Sequence, residues 1–90
     1  MIDAYHFPGL TLLITHYNRS RSLERLLTNF RDLNCHFDDI VVSDDGSKPE
    51  HVAYIKTLHS KFSFRLIETP KNRGLGNNIN KGQDAVTTPY

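Results

Sequence analysis

The chain predicts an α/β fold: a three-layer α/β/α domain with a mostly parallel sheet. Three observations carry that prediction. Strand-like and helix-like segments alternate through all 90 residues. The strand segments are short apolar runs, the pattern of parallel strands covered on both faces. Each then passes through a polar loop into a helix, as successive right-handed βαβ units require.

Leu10-Thr11-Leu12-Leu13-Ile14 is the first strand. From Ser20 to Leu33, Leu23, Leu26, Leu27, Phe30 and Leu33 recur at helical spacing, with Ser20 or Ser22 available as cap. This stripe is core and carries no functional signal. Ile40 to Ser43 is the second strand. Ser47 followed by Glu50 reads as a capping box with Pro49 in the first turn, opening a helix that extends to Lys61. Val52, Ile55, Leu58 and Phe62 mark its buried side. Phe64 to Glu68 is the third strand, and Pro70 blocks its continuation. A last helix, from Gly74 to about Val86, has low intrinsic propensity because of its glycines and asparagines, so Leu75, Ile79, Ala85 and Val86 must hold it by packing.

The simplest spatial order is 3-2-1. Thr87-Thr88-Pro89 ends the third helix, and Tyr90 then stands as the first residue of a missing fourth strand against the free side of strand one. Residues 1–90 are thus expected to be a single domain, the front part of a larger one. Without that fourth strand, Leu10 to Ile14 becomes an exposed edge. It is expected to self-associate, to recruit Ala4 to Phe7 as a substitute strand, or to cost stability.

Composition narrows the partners. The net charge is +1, and basic residues form no stripe beyond Arg19 and Arg21, so neither nucleic acid nor an acidic membrane surface is favoured. Cys35 is the sole cysteine, which excludes an internal disulfide and is compatible with a reducing compartment. Met1 to Pro8 lacks the features of a signal peptide, and no run approaches the roughly 20 apolar residues of a membrane span. A soluble, cytoplasmic domain with a small-molecule partner is the expectation.

In a parallel sheet all strand-to-helix loops open on one edge, where such sheets bind ligands. Thr15-His16-Tyr17-Asn18-Arg19 offers an aromatic face and hydrogen-bonding groups. Asp44-Asp45-Gly46-Ser47 offers carboxylates for a base N–H or ribose hydroxyls. Thr69 to Gly74 offers Lys71 and Arg73 for phosphate. Two acids ahead of a helix also serve as plain turn residues and dipole partners. Three compatible chemistries on one edge favour a nucleoside diphosphate.

These segments, Leu12 to Arg19, Ile40 to Ser47, and Lys71-Asn72-Arg73-Gly74 followed by Asn77, Asn80 and Gly82, resemble the opening half of a family 2 glycosyltransferase of the GT-A fold. The resemblance implies an inverting transferase that uses a nucleotide-activated sugar, commonly a UDP-sugar, with a divalent metal, manganese or magnesium. It places Thr15 and Tyr17 at the base, with Asn18 in the same nucleotide-binding set. Asp45 falls at the uracil ring nitrogen, Asp44 beside the ribose, and Asn72, Arg73 and Gly74 near the diphosphate. His16 departs from the Pro-Thr-Tyr-Asn of many members, so it either touches the nucleotide or replaces a surface residue. The family's metal-binding Asp-x-Asp and its catalytic base belong after Tyr90. By that pattern no catalytic residue and no metal ligand lies in this chain, and Asp44-Asp45 serves the nucleoside.

Competing readings are weaker. Gly74-Leu75-Gly76-Asn77-Asn78-Ile79 follows the wrong strand for a dinucleotide site. Cys35-His36 with Asp38-Asp39, taken as a loop, lacks the ligands to complete a metal centre. His6, His51 and His59 read as surface or capping residues. The rival function is a freestanding, non-catalytic nucleotide-binding or interaction module.

Overall fold

The computed structural model describes residues 5–90. What was expected of Met1 to Ala4 lies outside them. The order is β1 (Tyr5–His16), α1 (Ser20–Asp32), β2 (Cys35–Asp45), α2 (Pro49–Thr57) running into a 3-10 turn at Leu58–Ser60, β3 (Arg65–Thr69) and α3 (Leu75–Asp84). β2 is central, between β1 and β3, and both pairings are parallel. This is the 3-2-1 order that the sequence predicts.

Side chains of a strand alternate between faces, and β2 shows what that does. Val42 faces a core formed with Leu23 and Leu27 of α1, Ile55 of α2, Leu58 and Phe64. Ser43 faces the other side, where its hydroxyl meets Asn78 of α3. α3 seats closely on β1 because Gly82 has no side chain: a Cβ there would lie 2.3 Å from Leu13 Cδ1. Helices therefore cover both faces of the sheet, as its apolar strands require.

Several boundaries differ from the sequence reading. β1 and β2 are longer, because Tyr5–Phe7 pairs with Cys35–Phe37 beyond a register shift. Gly9, at φ +72, lies in that irregular stretch and donates its N–H to Asp38 Oδ2 at 2.6 Å. Phe7 stacks on Phe37, whose edge meets Phe30. Tyr5 to Phe7 is thus part of β1 itself rather than a substitute strand, and Cys35-His36 is strand rather than loop. The capping box does not form. Lys48 is the N-cap of α2 and contributes no side-chain cap, while the Ser47 hydroxyl is engaged by Asp44 and Asn18. Neither Ser20 nor Ser22 caps α1: Arg19 is its N-cap, and Ser20 Oγ pairs with His51 Nδ1 at 2.9 Å. The Pro49 helix ends at Thr57 and β3 starts at Arg65, one residue after buried Phe64.

Tyr90 takes the place expected of it. Its N–H donates to Gly9 O at 3.0 Å and its carbonyl accepts Thr11 N–H at 2.8 Å. That is a parallel bridge on the edge of β1 away from β2.

Gly46 holds the turn after β2 at φ +67, and a Cβ there would lie 2.3 Å from Asn72 N and 2.5 Å from Lys71 C. Backbone strain and a clash with main chain act together. Gly46→Ala is expected to destabilise the domain by about 2 kcal/mol or more, read as a lower urea midpoint at unchanged slope. A second expectation concerns the α1–α2 contact, where Tyr54 O–H donates to Glu24. This bond holds the Glu24 carboxyl below its ordinary range and raises Tyr54. Its stabilisation is present above the ordinary glutamate range and is lost as pH falls below it. In acid titrations followed by circular dichroism, Tyr54→Phe should be less stable than the parent at neutral pH and should converge with it in acid.

Candidate functional site

The site follows from the alternation of β2. The strand continues through Asp45, so its two terminal carboxylates point to opposite faces of the sheet. Each is buried, and each binds a different loop.

Asp44, 1% exposed, faces the α1–α2 layer. Its Oδ1 accepts His16 Nδ1–H at 2.8 Å and the Ser47 hydroxyl at 2.5 Å, and its Oδ2 accepts Ser47 N–H at 3.1 Å. His16 Nε2 accepts Arg19 N–H at 3.0 Å, so the ring carries its hydrogen on Nδ1. Ser47 Oγ also accepts Asn18 N–H at 2.8 Å, and Asn18 Oδ1 accepts Lys48 N–H at 2.8 Å. Asn18 sits at φ 51, a left-handed conformation that asparagine tolerates. The first loop is stitched to the second by side chains.

Asp45, 4% exposed, faces α3. Its Oδ1 accepts Arg73 N–H at 2.8 Å and its Oδ2 accepts Gly74 N–H at 3.0 Å, while Asn72 Nδ2 donates to the Asp45 carbonyl at 3.3 Å. Gly74 is the N-cap of α3 and has no side chain to cap with. Asp45 supplies a carboxylate from another element instead, where the helix dipole favours negative charge.

Between these clasps, on the α3 face, lies a cavity of about 250 Å³. Thr15, Tyr17, Asp45, Asn72 and Gly74 line it, together with His16, Leu75 and Asn78. Five of the eight residues predicted to bind nucleotide thus share one hollow. The other three do not: Asn18 is turned to Lys48, Asp44 is on the opposite face, and Arg73 lines a neighbouring hollow with Asn77 and Lys81. Asp44 is therefore not presented to a ribose in this cavity, because the strand period sends it the other way. His16 is not a surface residue either; it is 5% exposed. Asn78 escaped the sequence reading because a helix start rich in glycine and asparagine shows no face, and Leu75, expected to hold α3 by packing, instead stands exposed at the cavity. Lys71 and Arg73, in the loop that carries Asn72 and Gly74 of the cavity lining, form no ion pair among the described residues.

A divalent metal does not fit these residues. Asp44 and Asp45 diverge, and among the described residues no three His, Cys, Asp or Glu side chains converge.

An open parallel sheet with helices on both faces and a cavity at the carboxyl ends of its strands defines a Rossmann-like α/β fold. The chain belongs to glycosyl transferase family 2, whose family model matches residues 11–90. It is similar to the poly-beta-1,6-N-acetyl-D-glucosamine synthase of Staphylococcus aureus (strain COL), 28% identical over 89 residues that make up 99% of this chain and 22% of that protein. The synthase of the same name from Staphylococcus epidermidis is 26% identical over 82 residues, covering 91% of this chain and 20% of that protein. The chain thus spans about a fifth of the length of these relatives. No solved structure matches it significantly. No helix among the described residues is long and apolar enough to cross a membrane.

Asp45 gives this subsection its test. In Asp45→Asn the amide NH2 must face one of the two backbone N–H groups, which loses its acceptor. A loss of about 1 to 3 kcal/mol in stability is expected from urea unfolding, with the largest amide shifts at Arg73 and Gly74.

Proposed function

We propose that this chain is the donor-nucleotide-binding half of an inverting glycosyltransferase, and that the donor is a UDP-sugar. The observation that supports this most is the cavity itself, which Tyr17 of the first loop, Asp45 at the end of β2 and the start of α3 line together. Its size, about 250 Å³, is below the roughly 300 to 1,000 Å³ of pockets that enclose a whole drug-sized ligand. It suits a base and part of a ribose, with diphosphate and sugar outside, towards Lys71 and Arg73.

In this reading Tyr17 stacks on the base, a contact that desolvates a flat ring. Asp45 spends one lone pair of each oxygen on Arg73 and Gly74, so a free lone pair remains to accept the imide N–H of uracil. Thr15 and Asn72 add hydrogen-bonding groups at the rim. Asn18 and Asp44 hold the loops in place rather than touching the ligand. The relatives' names contain N-acetyl-D-glucosamine, which makes UDP-N-acetylglucosamine the first donor to try. Metal ligands and a general base would come from outside these residues.

NMR titration with UDP tests the proposal. Shifts are expected at Thr15 to Tyr17, Asp45 and Asn72 to Gly74, with affinity insensitive to manganese or magnesium and no sugar transfer by the 90-residue chain. Tyr17→Ala should lose about 1 to 3 kcal/mol of binding, the range for one base on one aromatic ring. Shifts elsewhere only, or turnover of a UDP-sugar, would refute it. A freestanding nucleotide-binding module predicts the same titration but has no use for the parallel bridge at Tyr90.

A further inference from the structure

We infer that His16 is a positioning residue that fixes Tyr17 at the mouth of the cavity by locking the first loop onto Asp44. The consequence for ligand affinity rests on the nucleotide reading above; the positioning itself does not.

Both ring nitrogens of His16 are committed, Nδ1–H to Asp44 Oδ1 at 2.8 Å and Nε2 to Arg19 N–H at 3.0 Å. The ring therefore joins the end of β1, the start of α1 and the end of β2 at one buried point. Its partner cannot swing, because Ser47 holds both oxygens of Asp44. Tyr17 has no side-chain hydrogen bond among the described residues and is 49% exposed, so no polar contact of its own dictates where its ring stands. Its two neighbours do so. His16 is the last residue of β1, and Asn18, held at φ 51, is clasped by Ser47 and Lys48. A side chain at position 16 with one polar end would leave either a buried carboxylate short of a donor or the Arg19 N–H without an acceptor. Asparagine keeps a donor near the Nδ1 position and lacks the Nε2 acceptor, so it separates the two bonds.

The test compares the parent chain with His16→Asn, His16→Ala, Tyr17→Ala and the double alanine variant, using amide exchange without ligand and UDP titration well below the unfolding temperature. In His16→Ala, exchange at Tyr17 and Asn18 should quicken and the UDP Kd should rise roughly tenfold, the effect of losing one buried charge-assisted hydrogen bond. His16→Asn should restore most of that loss, which a role confined to α1 would not allow. In the Tyr17→Ala background, His16→Ala should cause no further rise, because its effect passes through Tyr17. Additive losses, or UDP affinity unchanged in a less stable His16→Ala, would overturn the inference. If His16→Ala does not fold, His16→Asn carries the test: exchange at Tyr17 and a UDP Kd close to the parent's are expected, with quicker exchange at Arg19, and a roughly tenfold rise in Kd despite the retained donor to Asp44 overturns it. If the parent does not bind UDP, the nucleotide reading falls while the exchange data still decide whether His16 sets Tyr17.

Discussion

Two consecutive carboxylates at the end of a strand cannot act as one group, and the arrangement of the site depends on that constraint. Successive side chains of β2 alternate between faces, so Asp44 enters the α1–α2 side and Asp45 the α3 side. Each is 4% exposed or less, where an ionised oxygen without donors would be costly. Each finds donors in a loop that it thereby fixes. Asp44 collects the first loop through His16 and its own loop through Ser47; Asp45 collects the third loop through two backbone N–H groups. One strand end thus organises all three strand-to-helix connections.

That economy matters because the third layer is weak by itself. α3 reads Leu75-Gly76-Asn77-Asn78-Ile79-Asn80-Lys81-Gly82-Gln83-Asp84, a sequence with little helix propensity. It is held by contacts with the sheet: Asp45 at its first turn, Ser43 against Asn78, and the close seat of Gly82 on Leu13. The residues that weaken the helix in isolation are those that let it approach. Asn78 and Asp45 also line the cavity, so side chains that hold the helix shape the hollow as well. Loss of affinity in a variant of Asp45 therefore means little unless stability is measured beside it.

The alternation of elements, the sheet order and the convergence of Thr15, Tyr17, Asp45, Asn72 and Gly74 could be read from the sequence because each depends on local pattern or on parallel topology. What could not be read depends on side chains choosing among partners. Ser47 had two uses, capping α2 with Glu50 or receiving Asn18 and binding Asp44, and only the folded neighbourhood of His16 decides for the second. The length of β2 was hidden because Cys35-His36-Phe37-Asp38-Asp39 alternates apolar and polar residues at one sheet end, unlike the continuous apolar run that follows it. That misjudged length also explains Asp44 and Asp45. Taken as turn residues they seem able to face one ligand together; taken as strand residues they cannot.

Tyr90 adds a directional argument. Its N–H bonds to Gly9 O and its carbonyl to Thr11 N–H, the pattern of a parallel neighbour in register with Leu10. A chain continued from Tyr90 in that direction would run beside Leu12 and Ile14 and would come level with His16 after about six residues. Its own terminal loop would then stand next to Thr15 and Tyr17. The geometry of two hydrogen bonds at one edge thus sets both the direction and the register in which a neighbouring strand would extend the sheet past β1.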